Sequence, residues 1–213
     1  MKPHLKLHNL TEVVSEAKNI WNTIDHSTEN NEDIKFYRQA SKTMGHYSLG
    51  KVTPRWDYFR DHFKELSDIP MLIEFYTGME KYYKSSPHTD RGRSVAINVP
   101  VEVDLQHSNA FFGKYFELDK YPTPTNHGYE FTVATKETNY KKEINERYQG
   151  NYETEYYDDV DLDCAVLFDP AVPHGGWNKA DTQRVIMSIS FEEMDYNYAY
   201  NKCIELGWTG EIS

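Results

Sequence analysis

Apolar positions recur at helical spacing in two stretches of the first third of the chain. Leu10, Val13, Val14, Ala17, Ile20, Trp21 and Ile24 fall on one face at 3.6-residue spacing, opened by polar Asn9 and Thr11. In the second stretch Trp56, Phe59, Phe63 and Leu66 step by 3, 4 and 3. There Thr53 serves as a cap and Pro54 takes the first turn, where its missing N–H costs nothing. Both patterns predict amphipathic helices, and the aromatic stripe reads as core. Asn22 to Asp33 is polar and reads as loop, so residues 1–70 are expected to be mostly helical support.

From about Met71 the period shortens. β-favouring runs bounded by turn residues appear at Met71–Tyr76, Ser94–Val103, Ala110–Phe116, Tyr129–Thr135, Cys164–Phe168 and Arg184–Phe191. Short strands at this spacing predict a sandwich or barrel and not βαβ units. Residues 120–157, rich in Tyr, Pro, Thr, Asn and charge, read as a long loop of the kind that forms lids or binding surfaces. Tyr196–Leu206 reads as a short helix. With no internal repeat and no linker, residues 1–213 are expected to form a single domain, mainly β with flanking helices, whose core spans 71–195 and whose tail spans 196–213.

Composition narrows the function classes. The 23 basic and 34 acidic residues leave a net charge of −11, which disfavours a nucleic-acid partner. No run reaches the roughly 20 apolar residues of a membrane helix, and the opening MKPHLKLHNL lacks the apolar stretch of a secretory leader. Cys164 and Cys203 form no C-x-x-C, Cys164 reads as buried core, and a reducing, cytoplasmic setting is the expectation. Oligomeric state is not readable.

Several motifs are excluded. Asp159, Asp161 and Asp163 open like an EF-hand loop, but Cys164 stands at the sixth position and Pro170 at the twelfth, so an acidic turn entering a strand is the better account. G-x-S-x-G, the P-loop and the dinucleotide glycine pattern are absent, and Gly175-Gly176 reads as a plain turn.

Two segments carry chemistry: 86–93, SPHTDRGR, and 173–184, PHGGWNKADTQR. In an extended strand residues i and i+2 share a side, so His88 and Asp90 can present an imidazole and a carboxylate to one point. A third ligand from His174 would complete a two-His-one-carboxylate triad, the set that suits non-haem Fe(II) and leaves positions open. The His-x-Asp pair alone is uninformative, because 9 His and 34 acids in 213 residues predict about 1.4 such pairs and one is found. Arg184, ten residues after His174, is more telling, since 7 Arg in 213 residues put one at a given offset about 3% of the time. A guanidinium there can hold the far carboxylate of a dicarboxylate chelating the metal.

In order and context these residues resemble the Fe(II)/2-oxoglutarate-dependent dioxygenases, over about Lys81 to Phe191. The resemblance implies a double-stranded β-helix (jelly-roll or cupin-like) core, with His88, Asp90 and His174 as iron ligands and Arg184 as the 2-oxoglutarate anchor. It implies Fe(II), 2-oxoglutarate and O2 as cofactor and cosubstrates, and hydroxylation of a C–H bond of a small molecule or peptidyl residue with release of succinate and CO2. The stretch 166–174, VLFDPAVPH, is also similar to the aspartyl/asparaginyl hydroxylase-like branch, which often lacks the carboxylate ligand kept here as Asp90. Halogenating members replace that carboxylate, so halogenation is not expected. Ile186 stands where many members have a Ser two after the Arg, leaving Tyr82, Tyr83, Asn98 and Ser188 as candidates for the second cosubstrate contact.

Each residue also has an ordinary alternative. His88 and Asp90 can form a hydrogen-bonded turn, His174 a surface histidine and Arg184 half of an ion pair. Arg91 and Arg93 suit solvent as well as a ligand, and Trp177 and Asn178 suit a bend as well as a pocket wall. Tyr152, Tyr156 and Tyr157 need no special role. The rival function is a jelly-roll binding protein or cupin-like isomerase, in which Arg184 has no purpose.

Overall fold

A computed structural model of the chain describes residues 2–23, 34–38, 45–49, 54–68, 71–79, 83–84, 88–90, 93–113, 123–125, 128–130, 157–172, 174–178 and 180–210. Some of these, His88 and Trp177 among them, are described in their backbone only. In chain order the elements are β1 (His4–Leu7), α1 (Thr11–Thr23), β2 (Ile34–Arg38), β3 (Gly45–Leu49), α2 (Pro54–Phe63), β4 (Met71–Met79), β5 (Tyr83–Lys84) and β6 (His88–Asp90). They continue with β7 (Val95–Glu102), β8 (Ser108–Gly113), β9 (Thr123–Thr125), β10 (Gly128–Glu130), β11 (Tyr157–Asp161), β12 (Ala165–Phe168), β13 (His174–Asn178), β14 (Arg184–Phe191) and α3 (Tyr196–Glu205).

The strands form two antiparallel sheets. One runs β1-β12-β7-β14-β4-β3-β2, the other β11-β8-β13-β6-β10-β9, with β5 joined to β13. The fold is mainly antiparallel sheet, with three helices among the described residues.

Strand alternation divides the first sheet's residues between two environments. On the outer face Ile73, Phe75, Ile97, Val99, Leu167, Met187, Ile189 and Phe191 meet Val13, Ala17, Ile20 and Trp21 of α1 and Phe59 and Phe63 of α2 in the main core. On the inner face Ala96, Val166, Phe168 and Ile186 meet Ala110 and Val160 of the second sheet in a smaller cluster. All eight residues of β14 are buried, because that strand is covered on both faces.

The helices form as their patterns predict. Pro54 opens α2, and Arg60 pairs with Asp57 at 2.7 Å across one turn. For α3, Asp195 caps the start by accepting from Tyr198 N at 2.8 Å. Its end is a Schellman motif: Trp208 N donates to Cys203 O, Gly207 N donates to Ile204 O, and Gly207 takes φ 71°, where a Cβ is strained. Asn9 then ties this tail to α1 by donating from N to Trp208 O and from Nδ2 to Gly207 O.

The first 70 residues depart from the mostly helical expectation. Beside the two helices they contribute β1 and the β2–β3 pair, which extend the first sheet at opposite ends. β1 and β2 are edge strands, paired on one side only, and all three strands are too short for alternation to separate them from loops. Most of the long loop lies outside the described residues, apart from β9 and β10. No helix among the described residues is long and apolar enough to cross a membrane.

Candidate functional site

The site lies between the sheets, where the inner faces carry polar side chains among a few apolar ones. His174 begins β13 and pairs with His88 of β6 on one side and Phe112 of β8 on the other. The turn before it is built by Asp169: Ala171 N donates to Asp169 Oδ1 at 2.9 Å and Val172 N to Asp169 O at 3.1 Å. That turn aims Val172 O at the imidazole, and His174 Nδ1 donates to it at 2.9 Å. With Nδ1 donating to that carbonyl, the ring turns Nε2 inward.

Nε2 stands 3.1 Å from Asp90 Oδ2. A carboxylate oxygen and a ring nitrogen at this distance are joined either by a proton on Nε2, giving an imidazolium–carboxylate contact, or by a metal ion that they share. Two donors each about 2.1 Å from one ion and at right angles stand about 3 Å apart, so the spacing fits a shared metal. Asp90 is itself fixed by its backbone, whose N–H donates to Pro170 O at 3.0 Å. Among the described residues no three His, Cys, Asp or Glu side chains are grouped as a metal site, and the His88 side chain lies outside them. The backbone register sets residue 88 directly beside His174.

Arg93 is the second charged group at this point. Its Nε donates to Asp90 Oδ2 at 2.8 Å, its Nη2 donates to the same oxygen, and its Nη1 reaches Ser188 Oγ and Ser190 Oγ, each at 3.1 Å. Phe168 lies beneath both partners, its ring 4.8 Å from that of His174 and 5.7 Å from the Arg93 guanidinium carbon. Burial alone would lower the Arg93 pKa, but Tyr76, Asp90 and Glu74 nearby outweigh it and the net shift is upward. Tyr76 donates to Glu74 Oε2 at 2.7 Å, and its phenol is pushed up, first by burial.

Arg184 approaches from the first residue of β14. The ladder shifts register between Arg184 and Val185, so Arg184 pairs with Met79 while Val185 pairs with Thr77, leaving Gly78 as the extra residue. Such an irregularity re-aims a side chain, and this one lies against Gly176 of the opposite sheet. A Cβ built there would meet Arg184 Nη1 at 2.2 Å. Burial pushes the guanidinium down to about 10. His174 and Gly176 are i and i+2 in β13, so His174 and the Arg184 cradle share one face.

The structure therefore brings Asp90 and His174 into contact and sets Arg184 on the same inner face. Gly175 and Gly176 are not a turn: both lie in β13, and Gly176 has no side chain because the Arg184 guanidinium occupies that space. Ser188 accepts from Arg93, and Asn98, half-buried, pairs in register with Ser188 and Val166. Asn178 shapes the bend, receiving Ser108 Oγ at 2.7 Å and donating to Thr182 O at 2.8 Å. Asp161 and Asp163 are exposed, Asp163 pairing with Lys6 at 2.7 Å. Tyr82, Arg91, Tyr152 and Tyr156 lie outside the described residues, as do the side chains of Tyr83, Tyr157 and Trp177. Sequence reasoning missed Phe168 and the Glu74–Tyr76 pair, whose apolar or solitary settings carry no motif.

No protein-family model and no curated protein matches the chain by sequence. Solved structures do match its fold. The epimerase SnoN, solved with Fe3+, alpha-ketoglutarate and nogalamycin RO, aligns at TM-score 0.51 and 11% identity over 90% of this chain and 79% of its own. HygX from Streptomyces hygroscopicus, solved with nickel and 2-oxoglutarate, aligns at 0.53 and 10% over 90% and 83%. A Pseudomonas putida prolyl-4-hydroxylase aligns at 0.50 and 12% over 89% and 91%. The chain shares their fold. At these identities the likeness speaks for the architecture, and the chemistry must be argued from the residues.

Proposed function

We propose that the protein is an Fe(II)- and 2-oxoglutarate-dependent oxygenase built on a double-stranded β-helix core. The observation that carries this reading is the 3.1 Å contact of Asp90 Oδ2 with His174 Nε2 between the two sheets. His88, Asp90 and His174 hold the iron. When bound, iron with 2-oxoglutarate and O2 supplies oxidation of a C–H bond, with loss of CO2 and formation of succinate.

The chain's own residues do the rest. Val172 O fixes the His174 tautomer so that Nε2 is the donor. Arg184 meets the distal carboxylate of the cosubstrate, and the resulting charge-assisted pair offsets the cost of burying the guanidinium. Asn98 is kept as a candidate second contact, as are Tyr82 and Ser188. Phe168 and Ile186 supply apolar surface among these polar groups and limit water there.

Hydroxylation is the finer part of the reading, because one neighbour, SnoN, is an epimerase. The prime substrate is a neutral or cationic small molecule or peptidyl residue, not a nucleic acid, given the net charge of −11. Two buried free cysteines suit a reducing, cytoplasmic setting. The cupin-like binding-protein or isomerase reading gives Arg184 no ligand to meet. The test is succinate formation from 2-oxoglutarate under air with Fe(II). Turnover that disappears in Asp90→Ala and in His174→Ala supports the proposal, and none in the wild-type protein across a small-molecule and peptide screen counts against it.

A further inference from the structure

The chain leaves the second sheet at Asp90 and enters the first at Val95, and Arg93 lies in this crossing. The next residue is pinned to the end of β14, with Ser94 N donating to Phe191 O at 2.8 Å and Ser94 Oγ donating to Glu192 O. From that anchor the Arg93 side chain turns back into the site. Its Nε and Nη2 both engage Asp90 Oδ2, and its Nη1 is held by the hydroxyls of Ser188 and Ser190, two positions of one strand face. The guanidinium, largely withdrawn from solvent at 16% side-chain exposure, also stacks over the ring that supports His174.

An Asp side chain has two soft torsions and needs an outside partner to keep one carboxylate oxygen facing a neighbour. Asp90 Oδ2 has such a partner in Arg93, and the serines of β14 make that partner rigid. We infer that Arg93 is a positioning residue, a fork that locks the Asp90 carboxylate in its metal-facing rotamer and couples the site to β14 through Ser188 and Ser190. This rests on the reading of Asp90 as a metal ligand. It makes Arg93 neither a solvent-facing residue nor a cosubstrate contact. The planar fork matters as well as the charge, since a lysine ammonium cannot direct two N–H groups at one oxygen and a third at two hydroxyls.

The experiment uses full-length protein and Co(II), whose visible spectrum reports ligand geometry, with anaerobic Fe(II) titration in parallel. The variants are Arg93→Lys, Arg93→Gln, Ser188→Ala/Ser190→Ala and Asp90→Ala, each checked by melting of the metal-free protein. Outer contacts to a metal ligand set affinity by about 10–100-fold. Arg93→Lys and Arg93→Gln should therefore bind Co(II) about 10-fold or more weakly and shift its absorption, and the serine pair should act in the same direction by less. In an Asp90→Ala background the Arg93 substitutions should have no further effect. If wild-type binds Co(II) and needs Asp90, yet Arg93→Lys binds with unchanged affinity and spectrum, or more tightly, the positioning role is overturned while the metal site stands. If wild-type binds neither metal, the site reading fails and this inference with it.

Discussion

The Arg184 guanidinium and the backbone of Gly176 face each other across the two sheets, so closely that a methyl group at 176 would stand 2.2 Å from Nη1 and 2.9 Å from Nη2. The glycine is a cradle: its missing side chain is the space the cation fills. Gly176→Ala should displace the guanidinium while leaving His174, two residues away on the same strand face, in place. Losing an aligned charged hydrogen bond costs about 1.5–3 kcal/mol, or roughly 10–150-fold in affinity. Calorimetric titration should show that loss for 2-oxoglutarate on the metal-loaded protein, with metal affinity changed less than about 3-fold on the same scale of one lost contact. Equal loss of both would mean the cradle and the metal site are not separable.

Arg184 itself should trade stability against ligand binding. Its folded value of about 10 lies below the ordinary arginine range, so the unfolded chain holds the proton more tightly. On this account stability is lowered at neutral pH and rises only as pH climbs above about 10. Arg184→Met keeps much of the volume and removes the charge, so it separates a guanidinium needed by the ligand from one needed by the fold. Adding 2-oxoglutarate should raise the melting temperature of metal-loaded wild-type protein and not that of the variant. A variant melting several degrees lower would show that the guanidinium is a structural group.

The helical face gives a prediction independent of the site. His62 stacks between Tyr58 and Trp208 at centroid distances of 6.1 and 6.0 Å and meets Phe63 edge-on. Burial lowers its pKa below 6.5, with Glu12 opposing. Because the folded state resists protonation, the stabilising contribution is complete above pH about 6.5 and is lost as pH falls through the depressed folded value. Melting temperatures between pH 5 and 8 should fall at the acid end, and His62→Phe should flatten that slope. An unchanged acid slope would assign it to other groups.

What the sequence makes legible follows from how locally each feature is encoded. β14 spans the expected Arg184–Phe191 and α3 nearly fills its expected span, since a long buried strand and a capped helix are set by adjacent residues. His-x-Asp and the later His and Arg were readable as an ordered set, and the sheet register brings Asp90 and His174 together. Gly175-Gly176 was not readable. Two glycines look like a turn in a single sequence, and only the approach of Arg184, eight positions further on, explains why the strand has a glycine at 176. Arg93 was ambiguous for the same reason, because its partners Ser188 and Ser190 lie 95 and 97 residues away. Such contacts are written into the fold and not into any window of the chain.

The contact between Asp90 and His174 places one more demand on solution behaviour. If a metal ion joins Oδ2 and Nε2, it competes with protons for the same two atoms, so metal should bind more weakly as pH falls. Co(II) titrations at pH 5.5 and 7.5 should show weaker binding at the lower pH. Equal affinity at both would remove the imidazoles from the ligand set.

The most direct measurement is anaerobic addition of Fe(II) and then 2-oxoglutarate, followed by visible absorption. A weak charge-transfer band should appear only when both are present, persist in a surface control such as Lys6→Ala, and vanish in Asp90→Ala and His174→Ala. A wild-type protein that gives no band, or variants that keep it undiminished, would contradict the iron centre assigned to these residues.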